Sequence, residues 1–247
     1  MTSAPLRASL LTAVAALAMA APASASTGGS AAPADPPPAP PAPRSGVVSV
    51  DGPVAVEARA GTLLGEVARF RGKARRRDAG RRIVVQRLDA DAGRWLPVAR
   101  TEVARDGSFI ARWHTDHIGR FRLRAVMRSR PPRTGAARKE QSQATTASAE
   151  LGVTIYLPAK ATWYGPGFFG HHTACGQVLT EATIGVAHRS LPCGTKVALL
   201  YQGRTLVVPV IDRGPYGVAG ADWDLTQATA RSLGMEATES IGAVALR

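Results

Sequence analysis

The sequence predicts an all-β protein that contains two β-domains in 247 residues. Short runs rich in β-branched and aromatic residues recur from residue 47 onward, and turns containing Gly, Asp or Pro separate them. Residues 227–233 carry helix signals instead, because Thr226 can cap their start and Gly234 can stop them. Charge also divides the chain. From residue 158 onward the sequence contains seven Lys and Arg residues and six Asp and Glu residues, so nearly all of the net charge of +13 lies upstream.

Residues 1–25 have the pattern of a secretory signal peptide. Arg7 is the only charged residue, residues 10–20 are apolar except for Thr12, and Ala-Ser-Ala at 23–25 suits a cleavage site. The apolar run is too short to span a membrane, and no later stretch is long enough. We therefore expect a secreted or cell-wall-associated protein without a transmembrane segment.

Residues 26–45 are predicted to form a linker. The segment is rich in Ala and Pro, with Pro-Pro-Pro at 36–38 and Pro-Pro at 40–41. Such a composition cannot bury a core and favours an extended, semi-rigid spacer.

Residues 46–157 are predicted to form a separate basic β-sandwich. Strands are expected at 47–50, 82–87, 95–98, 108–112, 119–125 and 151–156, with turns at 91–93 and 106–107. A long surface loop is expected at 128–148. The Asp-Gly-Ser-Phe turn at 106–109 and the Gly-Arg-Phe-Arg strand at 119–122 resemble bacterial immunoglobulin-like modules.

The Arg residues of this part allow two interpretations. A dense run extends from Arg71 to Arg82, and Arg120, Arg122 and Arg124 alternate along a predicted strand, which places them on one face. They are either solvated surface residues or an anion-binding face. In an exported protein the available anions are wall polymers and lipid head groups, so nucleic acid is not the predicted partner.

The strand expected at 207–211 ends in an acid. Asp212 is followed by Gly214 and Pro215, which break the strand, so the carboxyl group lies at its end. An acid on the rim of a β-scaffold is suited to acid/base chemistry, although Asp also commonly satisfies the backbone of a turn. Residues 197–201 and 205–211 read as a hairpin, and 241–246 as a closing strand.

Cys175 and Cys193 are the two cysteines of the chain. An even count in an exported protein predicts one disulfide, which in the chain-entropy model stabilises by roughly 3 kcal/mol. A free nucleophilic cysteine is one alternative. A metal site formed with His171, His172 and His188 is another, but the spacing of these residues matches no standard metal pattern.

A series of short motifs in the last 90 residues or so resembles the rare-lipoprotein-A (RlpA)-like double-psi β-barrel family. The motifs are Ala-Thr-Trp-Tyr-Gly at 161–165, His-Thr-Ala-Cys-Gly at 172–176, Val-Ala-His-Arg-Ser-Leu-Pro at 186–192, Asp-Arg-Gly-Pro at 212–215, Asp-Leu-Thr at 224–226 and Ala-Arg-Ser-Leu-Gly at 230–234. The resemblance implies a closed six-stranded barrel with a short helix. Lipoprotein members carry a Cys directly after the signal, whereas the first Cys here is Cys175, so a lipid anchor is not expected.

The resemblance also implies roles for individual residues. Asp212 falls on the position of the catalytic acid, and His188 on a position that supports activity. Gln177 stands where the family usually has Glu, so a second acid is lost or moves to Glu181. Asp224 suits a helix cap or a barrel-closing role. We expect Gln177, Tyr164, Arg213 and Tyr216 to contact substrate.

Family members include lytic transglycosylases that cut peptidoglycan glycan strands to 1,6-anhydro-muramyl ends, without a cofactor or metal. The predicted function is therefore a secreted enzyme of this type. A non-catalytic, expansin-like protein that binds wall polysaccharide is the alternative. Asp212 and His188 favour the enzyme, and Gln177 favours the binder.

Overall fold

The computed structural model describes residues 40–128 and 146–246. The predicted signal peptide, the linker up to residue 39 and most of the loop predicted at 128–148 lie outside these residues. The described residues form one compact unit.

The first nine strands, with one short 3-10 helix at Arg76–Asp78, make up the N-terminal part. They are β1 (Val47–Val50), β2 (Ala55–Arg59), β3 (Gly61–Leu63), β4 (Val67–Lys73), β5 (Arg82–Asp89), β6 (Arg94–Glu102), β7 (Ser108–His114), β8 (Gly119–Met127) and β9 (Thr146–Ala147). The remaining elements are β10 (Leu151–Tyr164), β11 (Val186–Ala187), β12 (Lys196–Tyr201), β13 (Arg204–Asp212), β14 (Trp223–Thr226), α1 (Gln227–Leu233) and β15 (Glu239–Ala245).

Two sheets share the N-terminal core. One has the order β1-β2-β4-β7, and the other contains β10-β8-β5-β6, with β3 on β10 and β9 on β8. Phe70 from the first sheet and Ile83, Leu123 and Ile155 from the second are fully buried in one cluster. This arrangement fits the predicted β-sandwich, whereas its immunoglobulin-like character stays a prediction.

Strand β4 was not expected from the sequence, which reads as part of a charged run. Ala68 and Phe70 are buried, whereas Arg69, Arg71 and Lys73 are exposed. Side chains alternate between the two faces of a strand, so the apolar residues enter the core and the cations face solvent.

The C-terminal part is a closed six-stranded barrel. The strand order is β14-β11-β13-β12-β15-β10, and parallel pairing of β10 with β14 closes it. Val197, Leu199, Val210 and Leu225 fill its core. The barrel, the hairpin β12–β13 and the closing strand β15 confirm the predicted fold of this region.

Helix α1 begins and ends where the sequence predicts. The Thr226 hydroxyl accepts a hydrogen bond from the backbone N–H of Thr229 at 3.3 Å, and Gly234 adopts a left-handed conformation with φ of 76°. No helix among residues 40–128 and 146–246 is long and apolar enough to cross a membrane.

Strand β10 belongs to both parts of the molecule. Residues Leu151 to Ile155 pair with β8, and Leu157 to Ala161 pair with β15 of the barrel. The predicted boundary between residues 157 and 158 therefore falls inside a continuous strand of 14 residues.

The end of the predicted linker packs on the barrel instead of forming a free spacer. Ala42 is buried in the barrel core, and its N–H donates to the carbonyl of Ser232 at 2.7 Å. The carbonyl of Pro43 accepts from the N–H of Thr205 at 2.8 Å. A small side chain and extended backbone let this short segment follow the barrel despite its Pro-rich composition.

Candidate active site

Three neighbouring barrel strands bring two carboxylates to one place. Asp212 is the last residue of β13, and Asp224 lies in β14. Strand β11 runs between them, and its Ala187 is the pairing partner of both acids. The two Cα atoms are therefore two strand spacings apart, about 10 Å. The small Ala187 side chain leaves the space between the acids open.

Both acids line a cavity of about 360 Å³ on the barrel surface. The rest of the lining comes from the aromatic residues Tyr164 and Phe168, from Ala187, from the 171–179 loop and from the turn after β13. The loop supplies His171, His172, Thr173 and Leu179, and the turn supplies Arg213, Gly214, Pro215, Tyr216 and Gly217. Phe168 and Tyr216 are 57% and 76% exposed, so two aromatic rings are available at the cavity mouth to stack on a ligand.

Backbone donors hold the Asp212 carboxylate. Its Oδ1 atom accepts from the N–H of Ala174 at 2.8 Å and from the N–H of Arg213 at 2.8 Å. The first donor belongs to the 171–179 loop and the second to the turn after β13. These bonds fix the orientation of the carboxylate toward the cavity.

Asp224 is a half-buried acid. Of its two predicted roles the helix cap is wrong, whereas its hydrogen bond to Thr162 lies at the β10–β14 pair that closes the barrel. Thr226 caps α1, whereas Asp224 Oδ1 accepts from the Thr162 hydroxyl across β10 and β14 at 2.7 Å. Burial raises the pKa of Asp224, the Thr162 hydrogen bond opposes this shift, and the nearby negative charge of Asp212 adds to it. A carboxyl group with a raised pKa in a cavity can serve as a proton donor.

The sequence predicts a helix-cap or barrel-closing role for Asp224, because this residue stands close before a helix. The alternation of β14 carries the missing signal. Trp223 and Leu225 are buried, so Asp224 between them must face the other side of the strand.

Tyr164 places an unpaired hydroxyl beside the acids. Its oxygen is buried and has no hydrogen-bond partner among the described residues. Burial and the negative charge of Asp212 raise the pKa of this phenol, so it stays protonated. The Tyr164 ring also meets Phe168 edge to face, with ring centroids 6.2 Å apart. The hydroxyl therefore lies buried next to the Asp212 carboxylate.

His188 lies outside this cavity. Its ring packs on Trp223 with centroids 4.5 Å apart, and its Nδ1 atom accepts from the N–H groups of Ser190 and Leu191 at 3.2 and 3.0 Å. Burial lowers the pKa of His188, and the positive charges of Arg189 and Arg213 add to this shift. The neutral ring orders the chain that leads to Cys193, so its contacts are those of a positioning residue.

The predicted substrate-contacting residues divide into two groups. Tyr164, Arg213 and Tyr216 line the cavity, whereas Gln177 does not. Gln177 is exposed in the 171–179 loop, where its backbone carbonyl accepts from the N–H of Thr173 at 2.8 Å. The alternative acid Glu181 is also absent from the cavity lining.

The predicted disulfide is present between Cys175 and Cys193, whose Cα atoms are 5.8 Å apart. It joins the loop that supplies the Ala174 donor to the segment that follows His188. The described residues contain no group of three or more His, Cys, Asp or Glu side chains placed to hold a metal ion. His171 and His172 line the cavity without His188.

Comparisons with known proteins concern the barrel. Residues 158–246 match the model of the family described as lytic transglycolase. A probable endolytic peptidoglycan transglycosylase RlpA from Synechocystis is 42% identical over 88 residues, which are 35% of this chain and 27% of that protein. Its counterpart from Aquifex aeolicus is 45% identical over 82 residues, 32% of this chain and 36% of the relative.

The endolytic peptidoglycan transglycosylase RlpA of Campylobacter jejuni is 39% identical over 80 residues, 32% of this chain and 29% of that protein. The chain thus spans only about a third of the length of these relatives. The likeness describes the barrel and leaves the N-terminal sandwich without a counterpart among these matches.

Proposed function

We propose that this chain, whose residues 158–246 form an RlpA-like double-psi β-barrel domain, is a lytic transglycosylase that cleaves the glycan strands of peptidoglycan. The observation that carries the proposal is the cavity shared by Asp212 and Asp224, with aromatic rings at its mouth. The relatives' names supply the substrate class.

The reaction needs a proton donor and a proton acceptor but no water. The C6 hydroxyl of the sugar attacks its own anomeric carbon, the new C1–O6 bond forms, and the glycosidic C1–O4 bond breaks. An acid donates its proton to the leaving O4, and a carboxylate accepts the proton of the C6 hydroxyl. The products are a free 4-hydroxyl and a 1,6-anhydro end.

Asp212 and Asp224 can supply these proton transfers together. The raised pKa of Asp224 favours its protonated form, and Asp212 presents a carboxylate oriented by two backbone donors. Asp212 keeps the catalytic position of the family motif and acts as the proton acceptor, and Asp224 is the proton donor, the second carboxyl group that Gln177 cannot provide. Tyr164 borders the cavity beside Asp212, and His188 positions the loop behind the site.

A non-catalytic, expansin-like function is the second candidate. The observation that favours it is Gln177, which carries no titratable proton and lies outside the cavity. The same cavity and aromatic rings would then grip a glycan without cutting it.

Digestion of purified glycan strands, read by mass spectrometry, tests the proposal. We expect the wild-type protein to release fragments with 1,6-anhydro ends. Asp212→Asn and Asp224→Asn should each lower the rate by roughly 10²–10⁴-fold, because each removes a titratable proton and keeps the side-chain size. Asp222→Asn is the matched control, since Asp222 is exposed and its carboxylate accepts from the N–H of Lys160 at 3.2 Å, away from the cavity lining.

The outcomes separate the two candidates. Strand binding by the folded wild-type protein without any anhydro product, on strands with and without stem peptides, would establish the expansin-like function. Equal rates for the wild type and both cavity variants would remove the two acids from the mechanism.

We also propose that the protein is secreted and acts at the cell wall, and that its Arg-rich N-terminal domain binds anionic wall polymers. Support comes from the pattern of residues 1–25 and from the net charge of +13 that lies almost wholly upstream of the barrel. The absence of a lipid anchor stays part of this proposal.

A further inference from the structure

The outer face of the four-stranded sheet β1-β2-β4-β7 is strongly basic. Its outward strand positions hold five exposed cations, which we call the basic face: Arg59, Arg69, Arg71, Lys73 and Arg112. Glu57 is the acid among the outward strand positions, and Asp51 and Glu66 lie in turns at the rim. Carboxylates are therefore too few to neutralise the cations.

The pairing register places like charges side by side. Arg69 of β4 is directly opposite Arg112 of β7, whereas Arg71 is directly opposite Glu57 of β2. Like charges directly opposite each other destabilise a sheet. None of the five cations forms a salt bridge with any acid in the described parts of the chain. An anion bound to this face would reduce the repulsion between the cations and so stabilise the folded protein.

The other Arg stripe of the domain is already engaged. Arg122 forms a salt bridge with Glu150 at 2.5 Å. Arg124 donates to Gln86 at 3.0 Å, and its guanidinium lies 4.1 Å from the centre of the Trp95 ring. Two of the three Arg residues in the stripe that the sequence singles out are therefore already engaged, whereas the five cations of the basic face have no salt-bridge partner among the described residues.

The basic face has the shape of a track. Arg69, Arg71 and Lys73 follow one another along β4 at intervals of about 7 Å, because every second residue of a strand shares a face. Cavities of about 340 and 420 Å³ lie on the two sides of Arg71. The first is lined by Arg59 and Arg69 together with Glu57 and Glu66, and the second by Lys73 together with Asp51 and Glu57. A linear ligand with a charge at each repeat fits this row.

We propose that the basic face binds a linear wall polymer whose backbone carries phosphodiester groups. Arg presents a planar fork of donors that matches phosphate oxygens, and four of the five cations are Arg. The choice of a wall polymer rests on the proposed function, which places the protein at peptidoglycan. A row of cations on a rigid sheet favours a chain over the broad surface of a membrane.

Binding of the full chain to purified poly(glycerol phosphate) tests this assignment. The triple variant Arg69→Gln, Arg71→Gln and Arg112→Gln should bind about tenfold more weakly than the wild type, since exposed charge pairs each contribute modestly. The matched control removes three exposed cations from the second sheet, Arg94→Gln, Arg100→Gln and Arg120→Gln, and should keep wild-type affinity. Added salt should weaken wild-type binding.

Two controls distinguish a loss of polymer binding from a loss of folding or of catalysis. The basic-face triple variant should unfold at about the wild-type temperature, because it removes the Arg69–Arg112 repulsion together with the Arg71–Glu57 attraction. Asp212→Asn should bind the polymer as the wild type does, so a failed transglycosylase assay leaves the test intact. Equal losses in the two triple variants, or tighter binding to phosphatidylglycerol vesicles than to the polymer, would overturn the assignment.

Discussion

At the scale of single residues, the chemistry of the site depends on which of its two carboxyl groups, Asp212 or Asp224, carries a proton. Asp212 and Asp224 lie on strands that flank the same Ala187, yet their surroundings differ. The Asp212 carboxylate accepts hydrogen bonds from two backbone N–H groups. The Asp224 carboxyl group is half-buried and accepts a hydrogen bond from the Thr162 hydroxyl. Different environments for two neighbouring carboxyl groups are what a division between proton donor and proton acceptor requires.

The raised pKa of Asp224 predicts a pH-dependent stability. An acid whose pKa is higher in the folded state stabilises the protein below the ordinary pKa of 3.8, and this contribution is lost as the pH rises through the raised value. Asp224→Asn should therefore unfold at a higher urea concentration than the wild type at pH 7. The difference should disappear below about pH 4.

Asp222→Asn serves as the comparison, because Asp222 is exposed and lies outside the cavity lining. A lower stability of Asp224→Asn at pH 7 would mean that the Thr162 hydrogen bond outweighs the cost of burying the charge.

At the scale of secondary-structure elements, the two-residue strand β11 decides whether the acids meet. Gly185 directly precedes it, and the Thr229 side chain bonds to both its N–H and its carbonyl. A Cβ atom at this position would lie 2.5 Å from the Ile211 side chain. The close approach keeps β11 against β13.

Gly185→Ala should therefore push β11 away from β13 and displace the two acids relative to each other. We expect a loss of about 1–3 kcal/mol in the free energy of unfolding, as for other overpacked sites, together with slower glycan cleavage. Urea unfolding and the anhydro-product assay measure the two effects. Gly152→Ala is the control, because a Cβ atom added at this exposed position of β10 would have no neighbour within 4 Å. Unchanged stability of Gly185→Ala would show that Ile211 can move aside.

Elements with a strong local signal could be predicted from the sequence. The caps of α1, the β12–β13 hairpin and the strand that ends at Asp212 follow from Thr226, Gly234 and the β-branched run. The disulfide followed from an even cysteine count. These features depend on neighbours in the chain.

Features that depend on distant pairing were missed. Strand β4 buries only Ala68 and Phe70 among cations, so its alternation is weak in the sequence. Ala42 packs on the barrel because Ser232 and Thr205 offer backbone partners to its segment. The placement of Asp224 beside Asp212 required knowing that β11 lies between their strands.

At the scale of the whole molecule, the sandwich and the barrel are expected to unfold together. Strand β10 contributes Val153 and Ile155 to the sandwich core and Ala159 and Ala161 to the barrel core. Melting one core would therefore release half of a strand that the other core needs.

Leu123→Ala tests this coupling from the sandwich side. Leu123 is fully buried, so its truncation should cost about 2–5 kcal/mol. Hydrogen exchange of the β12 and β13 amides should accelerate as much as that of β4 and β7. Val47→Ala, at a side chain 62% exposed, should change neither. Faster exchange confined to the sandwich would show that the barrel folds independently.

The shared strand has a mechanical consequence. Every residue of β10 has a pairing partner, first in β8 and β3, then in β15 and finally in β14. The connection between the two halves is therefore a paired strand and not a flexible linker. With the proposed function, the barrel would cleave at a fixed distance from a wall polymer bound by the sandwich.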